Sequence, residues 1–185
     1  MKNFLVRDLM VPLSEYAVID ETATIFEAVM ALEKAQEEFD QKRYRHRAVL
    51  VRNQEGKAVG RLGQLDMLRA LEPKYDEMKT STGVTHFGFS RKFLISMLEQ
   101  YHLFDLPFHD LCRKAAEQKV SRYMHQPTEG EFIEAGDSLD KAVHLLVVGQ
   151  HQSLLVMEKD QIVGILRLTD VFAAVFHAMK ACEGR

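Results

Sequence analysis

An α/β (α+β) fold of two β-α-β-β-α repeats, with a helical insert between them, is predicted by three observations. First, "GRLGQLDMLRAL" (Gly60–Leu71) returns as "GILRLTDVFAAV" (Gly164–Val175), each with an aspartate six residues after its opening glycine, Asp66 and Asp170. Second, other segments recur in the same order. "VRDLM" (Val6–Met10) and "ETATIFEAV" (Glu21–Val29) match "VSRYM" (Val120–Met124) and "AGDSLDKAV" (Ala135–Val143) at an offset of 114 residues. "HRAVLV" (His46–Val51) matches "HQSLLV" (His151–Val156) at 105, and the glycine–aspartate segments match at 104. Ordered self-similarity of this kind marks a duplication. Third, the slips in offset put nine extra residues of the first copy between Val29 and His46, and one more in the turn before Gly60. The first repeat is expected over residues 1–72, the insert over 73–118 and the second repeat over 119–185.

Within each repeat the elements follow in order. "YAVIDE" and "EFIEAG" are short strands. A helix follows each. Thr24 stands three residues before Glu27 in a capping-box pattern, and Ile25, Val29 and Leu32 form one apolar face. Ser138 is the corresponding N-cap, but Lys141 replaces the glutamate, so only half of the box survives. "RAVLVRN" and "SLLVMEK" are buried strands, "NQEGKA" and "EKDQ" hairpin turns, and "AVGRLG" and "IVGILR" the next strands. The closing helices are expected to start near Asp66 and Asp170, each a good N-cap. In the insert, Phe93, Met97 and Tyr101 recur every fourth residue, which predicts an amphipathic helix. Pro107 fits the first turn of another.

The bulk numbers narrow the function. Of 185 residues, 46% are hydrophobic, enough for a packed core. The net charge of −3 argues against a protein whose primary ligand is nucleic acid, which would show a basic surplus. "MKNFLVRDLMVPL" is interrupted by Arg7 and Asp8 and does not read as a signal peptide, and no uncharged apolar run reaches the roughly 18 residues of a membrane span. Cys112 and Cys182 show no metal or disulfide spacing. A soluble cytoplasmic protein is the expectation.

The "DLM" lead, the "TIFEA" and "SLDKA" helix starts, the "AVLV" and "LLVM" strands and the two glycine–aspartate segments resemble the tandem CBS-domain module, named after cystathionine β-synthase. The resemblance covers about 135 of the 185 residues. It implies two repeats related by a pseudo-twofold axis, two clefts that commonly bind adenosine-containing ligands, frequent dimerisation and a regulatory role. It therefore implies an adenine nucleotide (AMP, ADP or ATP) as regulatory ligand, with S-adenosylmethionine or NAD as other choices. It also implies a homodimer and a separate regulated protein as partners. No further cofactor is expected.

An adenosine cleft needs apolar walls, backbone groups that read the base edge, and an acceptor for the ribose hydroxyls. By resemblance Asp66 and Asp170 accept from the ribose; read only as sequence, they are helix caps. The family usually has Ser or Thr three residues before the aspartate, facing the phosphate. Here Gly63, followed by Gln64, and Arg167 stand in that region, and Thr169 directly precedes Asp170. Arg167 offers a fork for phosphate or is a solvated strand-end residue. The two clefts are therefore expected to differ. Arg47–Ala48 and Gln152–Ser153 align where the family's backbone reads the base, and Val18 and Ile133 with cleft walls or plain core.

The eight histidines are scattered, with no HxxxH or HExxH spacing, so no metal site is expected. "STG" at Ser81–Gly83 reads as a polar turn rather than a phosphate loop. No nucleophile–base set is visible, and the chain is not read as an enzyme. Two functions compete: a nucleotide-sensing regulatory module, and a dimerising interaction module with vestigial clefts.

Overall fold

The leading segment of each repeat crosses to the sheet of the other. In the computed structural model, which describes residues 4–38, 45–75, 78 and 90–183, Val6 lies in the core of the second repeat with Ile133, Leu154 and Leu166. Val120 and Tyr123 lie in the core of the first, with Ile19, Val49 and Leu62. The backbone repeats the exchange. The Val6 amide donates to the Asp137 carbonyl, and the Val120 amide to the Ala23 carbonyl, both at 3.0 Å.

The first sheet has the order β2-β3-β4: β2 (Val18–Asp20) runs parallel to β3 (Ala48–Arg52), which is antiparallel to β4 (Ala58–Gly63). The second has the order β1-β7-β6-β5, from β1 (Val11–Pro12), β5 (Phe132–Glu134), β6 (Ser153–Glu158) and β7 (Gln161–Arg167). In β1, Val11 pairs with Ile165; on the other sheet the matching bridge joins His125 to Arg61. These crossings explain the recurring glycine. A Cβ at Gly164 would stand 2.6 Å from the Val11 carbonyl oxygen, and one at Gly60 would stand 3.0 Å from that of His125. Leu50, Leu155 and Ile165, with Leu13, Tyr16 and Phe132, form a third core where the two sheets meet.

The helices follow the capping chemistry. At the head of α2 (Ile25–Glu38) the Glu27 amide donates to Thr24 Oγ1, and the Thr24 amide donates to Glu27 Oε2. Its buried stripe is Ile25, Ala28 and Leu32; the expected Val29 is 40% exposed, because the 100° step places Ala28 nearer the sheet. Ser138 caps α7 (Leu139–Gly149), and Lys141 binds Asp137 instead of completing a box. The β6–β7 turn is closed by Lys159 and Asp160, both at positive φ (50° and 61°). Two left-handed residues suit a tight hairpin, whose twist they match.

Further α-helices among the described residues are α1 (Val6–Leu9), α3 (Gln64–Arg69), α4 (Arg91–Gln100), α5 (Phe108–Ala116), α6 (Val120–Tyr123) and α8 (Leu168–Glu183). Pro107 is the N-cap of α5, one position before the expected first turn. The insert helix α4 buries no residue; Phe93, Leu94, Ile95 and Leu98 are all more than 40% exposed. The Ser81–Gly83 turn lies outside the described residues.

Candidate functional site

The closing helices start two residues earlier than expected, at Gln64 and Leu168, so Asp66 and Asp170 stand in the first turn and are not N-caps. A carboxylate there still faces the positive end of the helix. Asp66 Oδ2 accepts from the Gly63 amide at 2.9 Å, and Arg69 donates to Oδ1 at 3.3 Å. The turn before each helix is built alike. The Gln64 amide donates to the Arg47 carbonyl at 3.1 Å, and the Leu168 amide to the Gln152 carbonyl at 3.0 Å. The backbone expected to read a base therefore already uses one carbonyl in each repeat. Ala48 faces Gly63 across the first sheet, and Ser153 faces Arg167 across the second.

Arg167 departs from the solvated strand-end reading. It is neither solvated nor extended toward solvent: it is 6% exposed. Its Nε–H and Nη2–H donate to the two oxygens of Asp170 at 2.6 and 2.7 Å, a bidentate fork three residues apart. Thr169 is half-buried beside it, and in the first copy Gln64, which pairs with Leu168, is exposed.

Around this pair stand two residues of the first repeat. The Tyr16 ring meets the His46 ring edge to face, with centroids 4.6 Å apart. Burial pushes the Tyr16 hydroxyl up to about 12, although the charges of Arg167 and Arg61 pull the other way. Burial, reinforced by the charge of Arg167, lowers the His46 imidazole below its ordinary value. The Asp170 side of the junction thus joins Tyr16 and His46 of one repeat to Arg167 and Asp170 of the other.

The opposite side is built from Arg61, Glu131, His125 and Ser153. Arg61 Nη1 reaches Ser153 Oγ at 3.4 Å, and Nη2 reaches Glu131 Oε2 at 3.3 Å. Glu131 Oε1 lies 2.6 Å from His125 Nε2 and accepts from the Thr128 amide and hydroxyl. Burial raises the Glu131 carboxyl, but the hydrogen bonds from His125 and Thr128, with the charges of His125 and Arg61, outweigh it and leave the group below its ordinary value.

The two expected wall residues differ in burial. Val18 is 40% exposed and is in register with Leu50 of the junction core. Ile133 takes the plain-core alternative: it is 3% exposed in the core of the second repeat, because successive strand residues face opposite ways. Its neighbour Phe132 faces the junction and is the true counterpart of Val18. Sequence reasoning missed Tyr16, His46, Glu131 and His125, although the repeat offset pairs Glu131 with Ala17 and so flags a carboxylate in an apolar place. Among the described residues no group of three or more His, Cys, Asp or Glu is arranged to hold a metal, and no helix is long and apolar enough to cross a membrane.

A sequence model of the CBS domain matches residues 6–73 and 120–177. No curated protein matches the sequence. Among solved structures, CBSX2 from Arabidopsis thaliana, a CBS-pair protein, is 16% identical over 97% of this chain and 99% of its own, with a TM-score of 0.60. A structure of CBSX2 in complex with AMP matches at 16% identity over 94% and 97% of the two chains, with a TM-score of 0.59. The CBS domain of a CBS domain-containing membrane protein from Sphaerobacter thermophilus matches at 17% identity over 94% and 88%, with a TM-score of 0.60.

Proposed function

Since the chain belongs to the CBS-domain family, we propose that it is a regulatory module that senses an adenine nucleotide at the junction of its two repeats. The observation that supports this reading best is the Asp170 carboxylate, set in the first turn of a helix with Arg167 across it and Tyr16 and His46 beside it. A carboxylate offers about four lone-pair sites, so two remain for ribose hydroxyls while Arg167 is bound. The guanidinium supplies positive charge for a phosphate, and the Tyr16 and His46 rings an apolar edge for a base. The AMP bound by CBSX2 supports this ligand class.

A thermal-shift series with AMP, ADP, ATP, S-adenosylmethionine and NAD tests the proposal. At 100 times Kd a ligand adds about 2.7 kcal/mol of stability, a shift of several degrees for a chain of this size. No shift with any of them at millimolar concentration sinks the reading.

A second reading, a dimerising interaction module that regulates a separate protein, draws on a different observation. Phe172, Phe176 and Met179 of α8 are 65%, 46% and 64% exposed, and Leu65 and Leu68 of α3 are also exposed. The two readings are compatible, since the homodimer that buries these residues can carry the nucleotide sites.

A further inference from the structure

The two sides of the junction are laid out on the same backbone plan, yet their side chains differ in a consistent sense. The repeat offset pairs Val11 with His125, Tyr16 with Gly130, Ala17 with Glu131, and Ile165 with Arg61. The backbone respects these pairs, because Val11 bridges Ile165 on one sheet as His125 bridges Arg61 on the other. The Asp170 side therefore carries Val11, Tyr16, Ala17 and Ile165. The Asp66 side carries His125, Gly130, Glu131 and Arg61 at the same places, two of them fully charged groups.

Ile165 is 2% exposed and packs with Leu155 and Tyr16. Arg61 cannot take that role. Its guanidinium bridges the repeats to Glu131, whose side chain is 4% exposed, and to Ser153. Ser153 is one of the residues expected to present backbone to a base, and the Arg61 head group lies on its hydroxyl. A purine entering there would have to strip Arg61 from Ser153 and leave the buried Glu131 with a weakened counter-charge, an arrangement that costs far more than an apolar wall does. Gly130, opposite Tyr16 in the pairing, adds no ring for a base to rest on.

We propose that the Arg61–Glu131 ion pair, anchored by His125 and laid over Ser153, closes the Asp66 cleft to a purine and leaves one nucleotide site per chain, that of Asp170. The inference rests on the nucleotide-sensing reading above.

The test is calorimetric titration of AMP into the wild type, Asp170→Asn, and Arg61→Ile/Glu131→Ala, which copies Ile165 and Ala17 from the other side. The wild type should bind one AMP per chain, with affinity lowered tenfold or more in Asp170→Asn. The double variant should gain a second AMP site that is lost when Asp66→Asn is added. Two AMP molecules per wild-type chain overturn the inference, as does a folded double variant that gains no site. Should the wild type bind no AMP, the nucleotide reading falls by itself. The inference is then decided by whether the double variant acquires an Asp66-dependent site. Arg61→Ile alone serves the same comparison if the double variant does not fold.

Discussion

Arg167 lays its guanidinium along the Asp170 carboxylate, one nitrogen 2.6 Å from one oxygen and another 2.7 Å from the other. The pair ties the end of β7 to the first turn of α8. In the first repeat Gly63 takes the place of Arg167, and Asp66 turns instead to the Gly63 amide and to Arg69. Two sequence differences, Gly63 against Arg167 and Arg69 against Ala173, thus give the two aspartates different partners.

Replacing Asp170 by Asn keeps the shape and removes the charge. AMP affinity should fall about tenfold or more, since hydrogen bonds to charged groups contribute roughly 1.5–3 kcal/mol. Stability should also fall, by roughly 3 kcal/mol, the low end for breaking a buried ion pair. Calorimetry at a temperature where the variant is folded measures the first, and denaturant unfolding the second. Unchanged AMP affinity would remove Asp170 from the site.

Arg167→Ala separates phosphate recognition from support of Asp170. If the guanidinium reads phosphate, AMP should weaken by about 1.5–3 kcal/mol while adenosine is nearly unaffected. Added salt should weaken AMP binding more in the wild type than in the variant. Equal losses for AMP and adenosine would mean that Arg167 acts only by holding Asp170.

Tyr16 and His46 give stability a defined pH dependence. His46 has a folded pKa below its ordinary 6.5, so the unfolded chain takes up the proton first. Stability from this group is complete above about 6.5 and is lost as pH falls below it. Tyr16 is pushed up to about 12, so the unfolded chain releases its proton first, near 10. That contribution is complete below pH 10 and is lost as pH rises from 10 toward 12. Urea unfolding across both windows should show a flatter acid limb in His46→Gln and a flatter alkaline limb in Tyr16→Phe. Limbs identical to the wild type would show that neither residue carries the linkage.

The exchange of leading segments predicts crossed effects. Val6→Ala should cost about 2 kcal/mol, as for other truncations of buried aliphatic side chains. It should speed amide exchange in β6 and β7 more than in β3 and β4. Val120→Ala should do the reverse. Effects confined to the mutated residue's own repeat would contradict the interlock.

The apolar stripe of α8 predicts a homodimer with about twice the chain mass of 21.2 kDa. Phe172→Glu, which places a charge where 65% of the side chain is exposed, should return the chain to a monomer in light scattering without loss of helix signal. A wild-type mass of one chain at tens of micromolar removes the prediction.

What the sequence by itself determined is whatever local chemistry or internal repetition encodes. The duplication, the strand–helix order, the Thr24–Glu27 box and the Ser138 cap are short-range features, and offsets of 114, 105 and 104 residues expose the repeats without any structure. The tertiary structure decided what depends on how the elements meet, whether their residues are distant in the chain or near. The crossing of Val6 and Val120 into opposite cores cannot be read from periodicity, because a buried valine looks the same in either core. Nor can the fate of Arg167. A strand-end arginine is compatible with solvent, a phosphate or a carboxylate, and only the placement of the first turn of α8 brings Asp170 within 2.7 Å of it. Helix starts moved by two residues, and Ile133 turned to the core, because cap position and strand facing are fixed by how each element meets its sheet. Arg61 and Glu131 lie 70 residues apart in the chain and meet only because two sheets pack face to face, leaving a charged pair where the other half of the molecule keeps Ile165 and Ala17.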